Sequence, residues 1–203
     1  MGEHHLSIAL VVAALAVPAA IRAQPAPAAE AAEAAAPAPF PALEDRLAEV
    51  MSRQGEAWQA LPRVADEARA AAITRTRGPV QAWAWADPSM GCFVLAVRVS
   101  GGGPGVHLAL RDSFGAAGDD PRPEVAGAEL TGWRLDQGTP LRSRFDFVLG
   151  AVRGQVRTAG DDATTSTLAC FWSEREPALS AYLCDRLAPA LEAVLLSEPR
   201  PTP

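Results

Sequence analysis

The chain has 203 residues, 49% of them hydrophobic, and a formal net charge of −6. All eighteen basic residues are arginine, and the lack of lysine excludes Schiff-base catalysis, a Walker A phosphate loop and a kinase-type phosphate-pairing lysine. The acidic balance argues against a nucleic-acid binder, which carries a basic surplus.

Residues 6–20 read LSIALVVAALAVPAA, fifteen apolar positions without a charge. That is short of the ~20 residues that cross a bilayer and matches the core of a secretory signal. Pro18 ends the helix and Ala23 is a small residue ahead of a cleavage point, so residues 1–23 read as a secretory signal peptide. Residues 1–5 contain no arginine or lysine, which keeps an uncleaved signal anchor as the alternative. The expected location is periplasmic or secreted, with no membrane span after cleavage, or membrane-tethered if the segment is retained. His4 and His5 leave with the signal, so His107 is the one histidine of the mature chain and a multi-histidine metal site has no ligand set. No motif implies a cofactor or a metal. Residues 24–41 hold nine alanines and five prolines in eighteen positions and read as a semi-extended linker. Residues 42–198 form the expected single globular domain, and the proline-rich end at 199–203 is expected to be disordered.

From 42 to 75 the apolar residues Leu43, Leu47, Val50, Trp58, Leu61, Val64 and Ala68 recur at three- and four-residue steps. Gly55 and Pro62 interrupt them, so an N-terminal helix pair or one kinked helix is expected. After Gly78 the period becomes two. Strands are expected at 80–86, 92–100, 106–111, 125–135, 142–149, 151–158 and 164–172, with Val106, Leu108 and Leu110 sharing a face in the third. Ser173 and Glu176 have the spacing of a capping box before a closing helix, which Pro189 should kink. Elements that segregate in this way define an α+β fold: an N-terminal helix pair, an antiparallel meander of six or seven strands, and one C-terminal helix on the sheet.

The three cysteines, Cys92, Cys170 and Cys184, show no metal spacing. A helix returning over its own strand from Ser173 gives Cys170 and Cys184 compatible reaches, so a disulfide and two buried thiols stand as equal alternatives. Cys92 and His107 are the one nucleophile–base pair worth testing, since both fall on expected strands. The acidic doublets Asp119-Asp120 and Asp161-Asp162 read as turn residues. Trp83 and Trp85 alternate on one strand and form either a packed face or a ligand surface. Arginines 98, 111, 134, 142, 144, 153 and 157 fall on or beside expected strands. If they share a face they make an anion-binding surface, with Arg144 and Arg153 as its candidates; otherwise they form cross-strand ion pairs.

The missing catalytic vocabulary favours an exported, non-catalytic binding or accessory protein of the bacterial cell envelope. Its partner would be an envelope protein or a small ligand. The alternatives are a small secreted hydrolase using acidic residues or Cys92, and a carrier of an apolar ligand between helix and sheet.

Overall fold

The computed structural model describes residues 41–62, 64–114, 125 and 127–197. The expected signal peptide, the expected linker up to residue 40, the expected tail and the doublet Asp119-Asp120 lie outside the described residues. The described chain runs α1 (Pro41–Ser52), β1 (Gln59–Ala60), α2 (Glu67–Thr74), β2 (Val80–Asp87), β3 (Cys92–Ser100) and α3 (Gly103–Phe114). It continues through β4 (Glu129–Asp136), β5 (Leu141–Leu149), β6 (Val152–Gly160) and β7 (Thr164–Ser173). The closing helix α4 comprises Ala178–Tyr182, a π-helical turn Leu183–Leu187, and Ala188–Ser197.

The seven strands form one antiparallel sheet in the order β1-β2-β3-β7-β6-β5-β4, and the fold is α+β. It is two meanders rather than one. After β3 the chain crosses by α3 to the far edge, returns strand by strand, and closes by pairing β7 with β3 over nine residues. The two central strands are buried on both faces, and the helices cover the sheet from both sides.

The stretch 42–75 holds two helices, α1 and α2, and they lie on opposite faces of the sheet. Leu43, Leu47 and Met51 of α1 join Leu183, Leu187 and Leu191 of α4 over Trp85, Val94, Leu168 and Cys170. Ile73 of α2 joins Val106, Leu110 and Phe114 of α3 over Phe93, Phe145, Phe147 and Phe171.

Two expectations are corrected, and a third takes a specific form. The stretch 106–111 is helix, not strand. Gly102 and Gly103 turn the backbone through positive φ and Pro104 suits a first helical turn, so Val106, Leu110 and Phe114 bury at four-residue steps. Leu108, which a strand would have placed beside them, is 41% exposed. Ser173 is the last residue of β7 and not a helix cap: its hydroxyl accepts the Arg175 amide at 3.3 Å and its carbonyl the Glu176 amide at 3.0 Å. At Pro189, where a kink is expected, α4 departs from a regular α-helix without ending. The Ala188 amide donates to the Leu183 carbonyl, five residues back, and this π-turn accommodates the bond that proline cannot make.

The second core has a gap that only glycine leaves open. Phe147 on β5 and Phe171 on β7 lie in one register row with Gly154 of β6 between them. Two strand spacings are ~9.6 Å, yet the ring centroids stand 5.3 Å apart. Phe147 leans over Gly154, where a Cβ would collide with the ring and with the Cys170 carbonyl. Gly154→Ala is therefore expected to destabilise the fold by ~1–3 kcal/mol in denaturant unfolding, since overpacking forces rings off their rotamers. Gly105→Ala, on α3 with open space around its Cβ, should be neutral or stabilise by up to ~1 kcal/mol.

Candidate functional site

The strand registers sort the side chains facing α1 and α4 into rows across the sheet. One row runs Gln81, Arg98, Ser166, Ala159, Arg142, Asp136; the next runs Trp83, Ala96, Leu168, Arg157, Arg144, Arg134. The third runs Trp85, Val94, Cys170, Gln155, Asp146, Thr131, and the fourth Asp87, Cys92, Trp172, Arg153, Val148, Glu129. The half of this face on β2, β3 and β7 is mainly apolar and lies under α1 and α4. The half on β6, β5 and β4 is mainly polar, and most of its side chains are partly or fully exposed.

Six of the seven arginines singled out in the sequence, all but Arg111, share this face. Two of them have acidic partners: Arg142 pairs with Glu192 of α4, and Arg153 with Glu174 beyond β7. Arg98 is 97% buried by its 3% exposure and donates to the Leu195 carbonyl at 3.3 Å, where it neutralises the C-terminal end of α4. Arg111 leaves the sheet with α3, binds Asp112 at 2.7 Å and stacks over Trp133.

The remaining three, Arg157, Arg144 and Arg134, stand directly opposite one another on β6, β5 and β4. Arg157 donates from Nε to Gln155 Oε1 at 2.7 Å, and Gln155 in turn donates to Asp146 Oδ1 at 2.7 Å. Arg144 and Arg134 are exposed and make no hydrogen bond or ion pair among the described residues. A cleft of about 200 Å³ lies over this row, lined by the three arginines with Asp136, Arg142 and Glu192. The charges of Arg157 and Arg144 pull the Cys184 thiol downward against the burial that raises it.

Cys92 and His107 do not meet. Cys92 faces α4, whereas His107 is on α3 and packs against the reverse face. Burial, with the Asp87 carboxylate beside it, pushes the Cys92 thiol up to about 12, so little thiolate exists at neutral pH. The bridge between Cys170 and Cys184 is not formed either. Both are free thiols in the α4 core, raised foremost by burial. Trp85 is 6% exposed and belongs to that core, while half-buried Trp83 lines an edge cleft of about 550 Å³ with Glu44 and Glu67. Asp161 Oδ1 accepts the Ala163 and Thr164 amides at 2.9 and 3.0 Å, closing the β6–β7 turn. Among the described residues no cluster of His, Cys, Asp and Glu is placed to hold a metal, and no helix is long and apolar enough to cross a membrane.

Sequence reasoning missed the partner that His107 does have. Its Nδ1 shares a hydrogen bond of 2.7 Å with Ser143 Oγ, and its Nε2 has no partner among the described residues. His107 is 1% exposed and Ser143 7%, so this serine–histidine pair sits closed in the core beneath α3. The signal for it was present: Ser143 shares the inward face of its strand with Phe145 and Phe147, and a buried hydroxyl needs a partner.

No protein-family model matches this chain, and no curated protein matches it.

Burial holds the His107 imidazole below its ordinary value of 6.5. Between that depressed value and 6.5 the unfolded chain takes up a proton that the folded chain refuses, so stability is lost as pH falls through the window. His107→Gln, which can keep a bond to Ser143, should flatten this slope. Urea unfolding of both proteins between pH 7.5 and 5, with the variant's stability subtracted, measures it.

Proposed function

We propose that this chain is a non-catalytic binding or accessory protein of the bacterial cell envelope, and that it takes an anionic ligand or partner on the open half of its sheet. The observation that carries the reading is the row Arg157, Arg144, Arg134. Like charges directly opposite across strands destabilise a sheet. Elsewhere on the same face Arg142 and Arg153 have acidic partners in Glu192 and Glu174; in this row each arginine faces another arginine. An anion in the cleft relieves that repulsion and meets donors whose fork geometry suits carboxylate and phosphate oxygens.

The alternatives have less support. The hydrolase reading has its cysteine and histidine on opposite faces and its one serine–histidine pair buried. The apolar-carrier reading has a cleft of about 50 Å³ between α2, α3 and the sheet, below the ~150 Å³ that admits benzene.

Retention of the full chain on an immobilised polyanion such as heparin tests the reading. Despite the net charge of −6, the chain should bind at low salt, and Arg134→Gln with Arg144→Gln should weaken binding roughly tenfold or more. Arg186→Gln, on the exposed side of α4, serves as the control. Equal retention of all three proteins would remove the site.

Export rests on residues 6–20 alone. Expression of the full chain in a bacterium should yield a periplasmic product beginning at Gln24, read by intact mass. A product that keeps residues 1–23 and stays with the membrane would favour the anchor.

A further inference from the structure

We propose that the group bound by the arginine row is a phosphomonoester rather than a carboxylate. This rests on the reading of the open half-sheet as an anion-binding face. Arg144 is central, with Arg157 and Arg134 one strand away on either side. Neighbouring strands lie ~4.8 Å apart, so the three side-chain roots span ~10 Å and long arginine side chains can converge above the middle one.

The donor count decides between anions. Each guanidinium offers five N–H groups, and here only the Nε of Arg157 is committed, to Gln155. A carboxylate presents two oxygens in one plane and is filled by one or two forks. A phosphomonoester presents three terminal oxygens and about −1.5 to −2 charge near neutral pH, which matches three converging forks in both number and charge.

The rest of the cleft limits the size of the ligand. Asp136 and Glu192 line the same space of about 200 Å³ as the arginines. Their charge flanks the row, so the anionic group that enters is best seated directly over Arg144. Arg157 is held for that role: its Gln155 partner is buried and anchored on Asp146 at 2.7 Å, so its remaining N–H edges are positioned before the ligand arrives.

Titration calorimetry of the full chain with glycerol 1-phosphate, inorganic phosphate and succinate at matched ionic strength tests the assignment. Glycerol 1-phosphate should bind at least tenfold more tightly than succinate. Arg144→Gln should lose at least tenfold of that affinity with a melting temperature that does not fall, since repulsion in the row is relieved, and Arg144→Lys should recover only part of the affinity. Binding should also weaken below about pH 6, where the phosphomonoester dianion takes up a proton and becomes a monoanion. Vesicles of phosphatidylcholine with and without phosphatidic acid identify the source. Capture only by phosphatidic acid vesicles assigns the group to a lipid headgroup, and binding of the soluble esters assigns it to a free metabolite; either supports the phosphomonoester. Succinate binding as tightly, with the same dependence on Arg144, would overturn the phosphomonoester and leave the anion-binding face standing. Failure of all these probes in a chain that heparin still retains would overturn the phosphomonoester alone. Failure of heparin as well would overturn both.

Discussion

The pairing of β7 with β3 sets the position of everything else in this fold. Each of these strands belongs to a different meander, and the nine-residue register from Cys92↔Trp172 to Ser100↔Thr164 is the seam that joins them. Strand side chains alternate faces, so a slip of one residue would turn Ala169 and Phe171 toward α4 and Cys170 and Trp172 toward α3. Both cores would lose their central layer at once. The seam is protected by burial: β3 and β7 carry apolar or small residues on both faces, as strands covered on two sides must. Several of the polar side chains that do occur there are bonded, while Ser166 Oγ and Thr164 Oγ1 have no partner among the described residues. Thr167 meets Thr158 at 3.2 Å across the strands, and Arg98 reaches the end of α4.

From that seam outward the face under α4 changes character within one strand. Leu168 and Cys170 on β7 belong to the core; their register neighbours on β6 are Arg157 and Gln155. Gln155 stands at the boundary. It is buried, yet both ends of its amide are engaged, with Asp146 on one side and Arg157 on the other. A polar group this close to the core is tolerable because it is fully bonded, and its bonds orient the first arginine of the row. The helix covers the sheet as far as apolar side chains continue and stops where they stop. The open half-sheet is thus a consequence of the same hydrophobic pattern that places α4.

Much of this architecture was legible as period. The boundaries of β3 agree with the alternation at 92–100, and β5, β6 and β7 each agree to within two residues at either end. Six residues of alternation at 106–111 misled, because V-H-L-A-L-R satisfies period two over so short a window. The helical stripe becomes visible only when Phe114 is included. The arginines show a different limit. Alternation along one strand reports which residues share a face, but not which residue stands opposite on the next strand. Arg144 and Arg153 were equally good candidates by pattern. Register separates them: Arg144 faces Arg157 and Arg134, while Arg153 lies between Trp172 and Val148 and pairs with Glu174. The separation of Cys92 from His107 is of the same kind, since it depends on which face each helix covers.

The reverse face explains why the arginine row can be held rigidly although its own side chains are exposed. Each arginine has strand neighbours that point the other way into the second core. Arg144 lies between Ser143 and Phe145; Ser143 is bonded to His107, and Phe145 packs at 5.3 Å against Phe114. Arg157 lies between Val156, which is in that core, and Thr158, which is bonded to Thr167. Arg134 follows Trp133, whose ring meets Phe145 at 6.0 Å and carries the Arg111 guanidinium. Repelling charges would ordinarily splay three edge-side strands, and here the aromatic cluster resists that movement from behind. Packing on the α3 face and charge on the α4 face act on one shared backbone. The histidine and phenylalanines that lie outside the cleft therefore help determine how closely its three guanidinium groups stand.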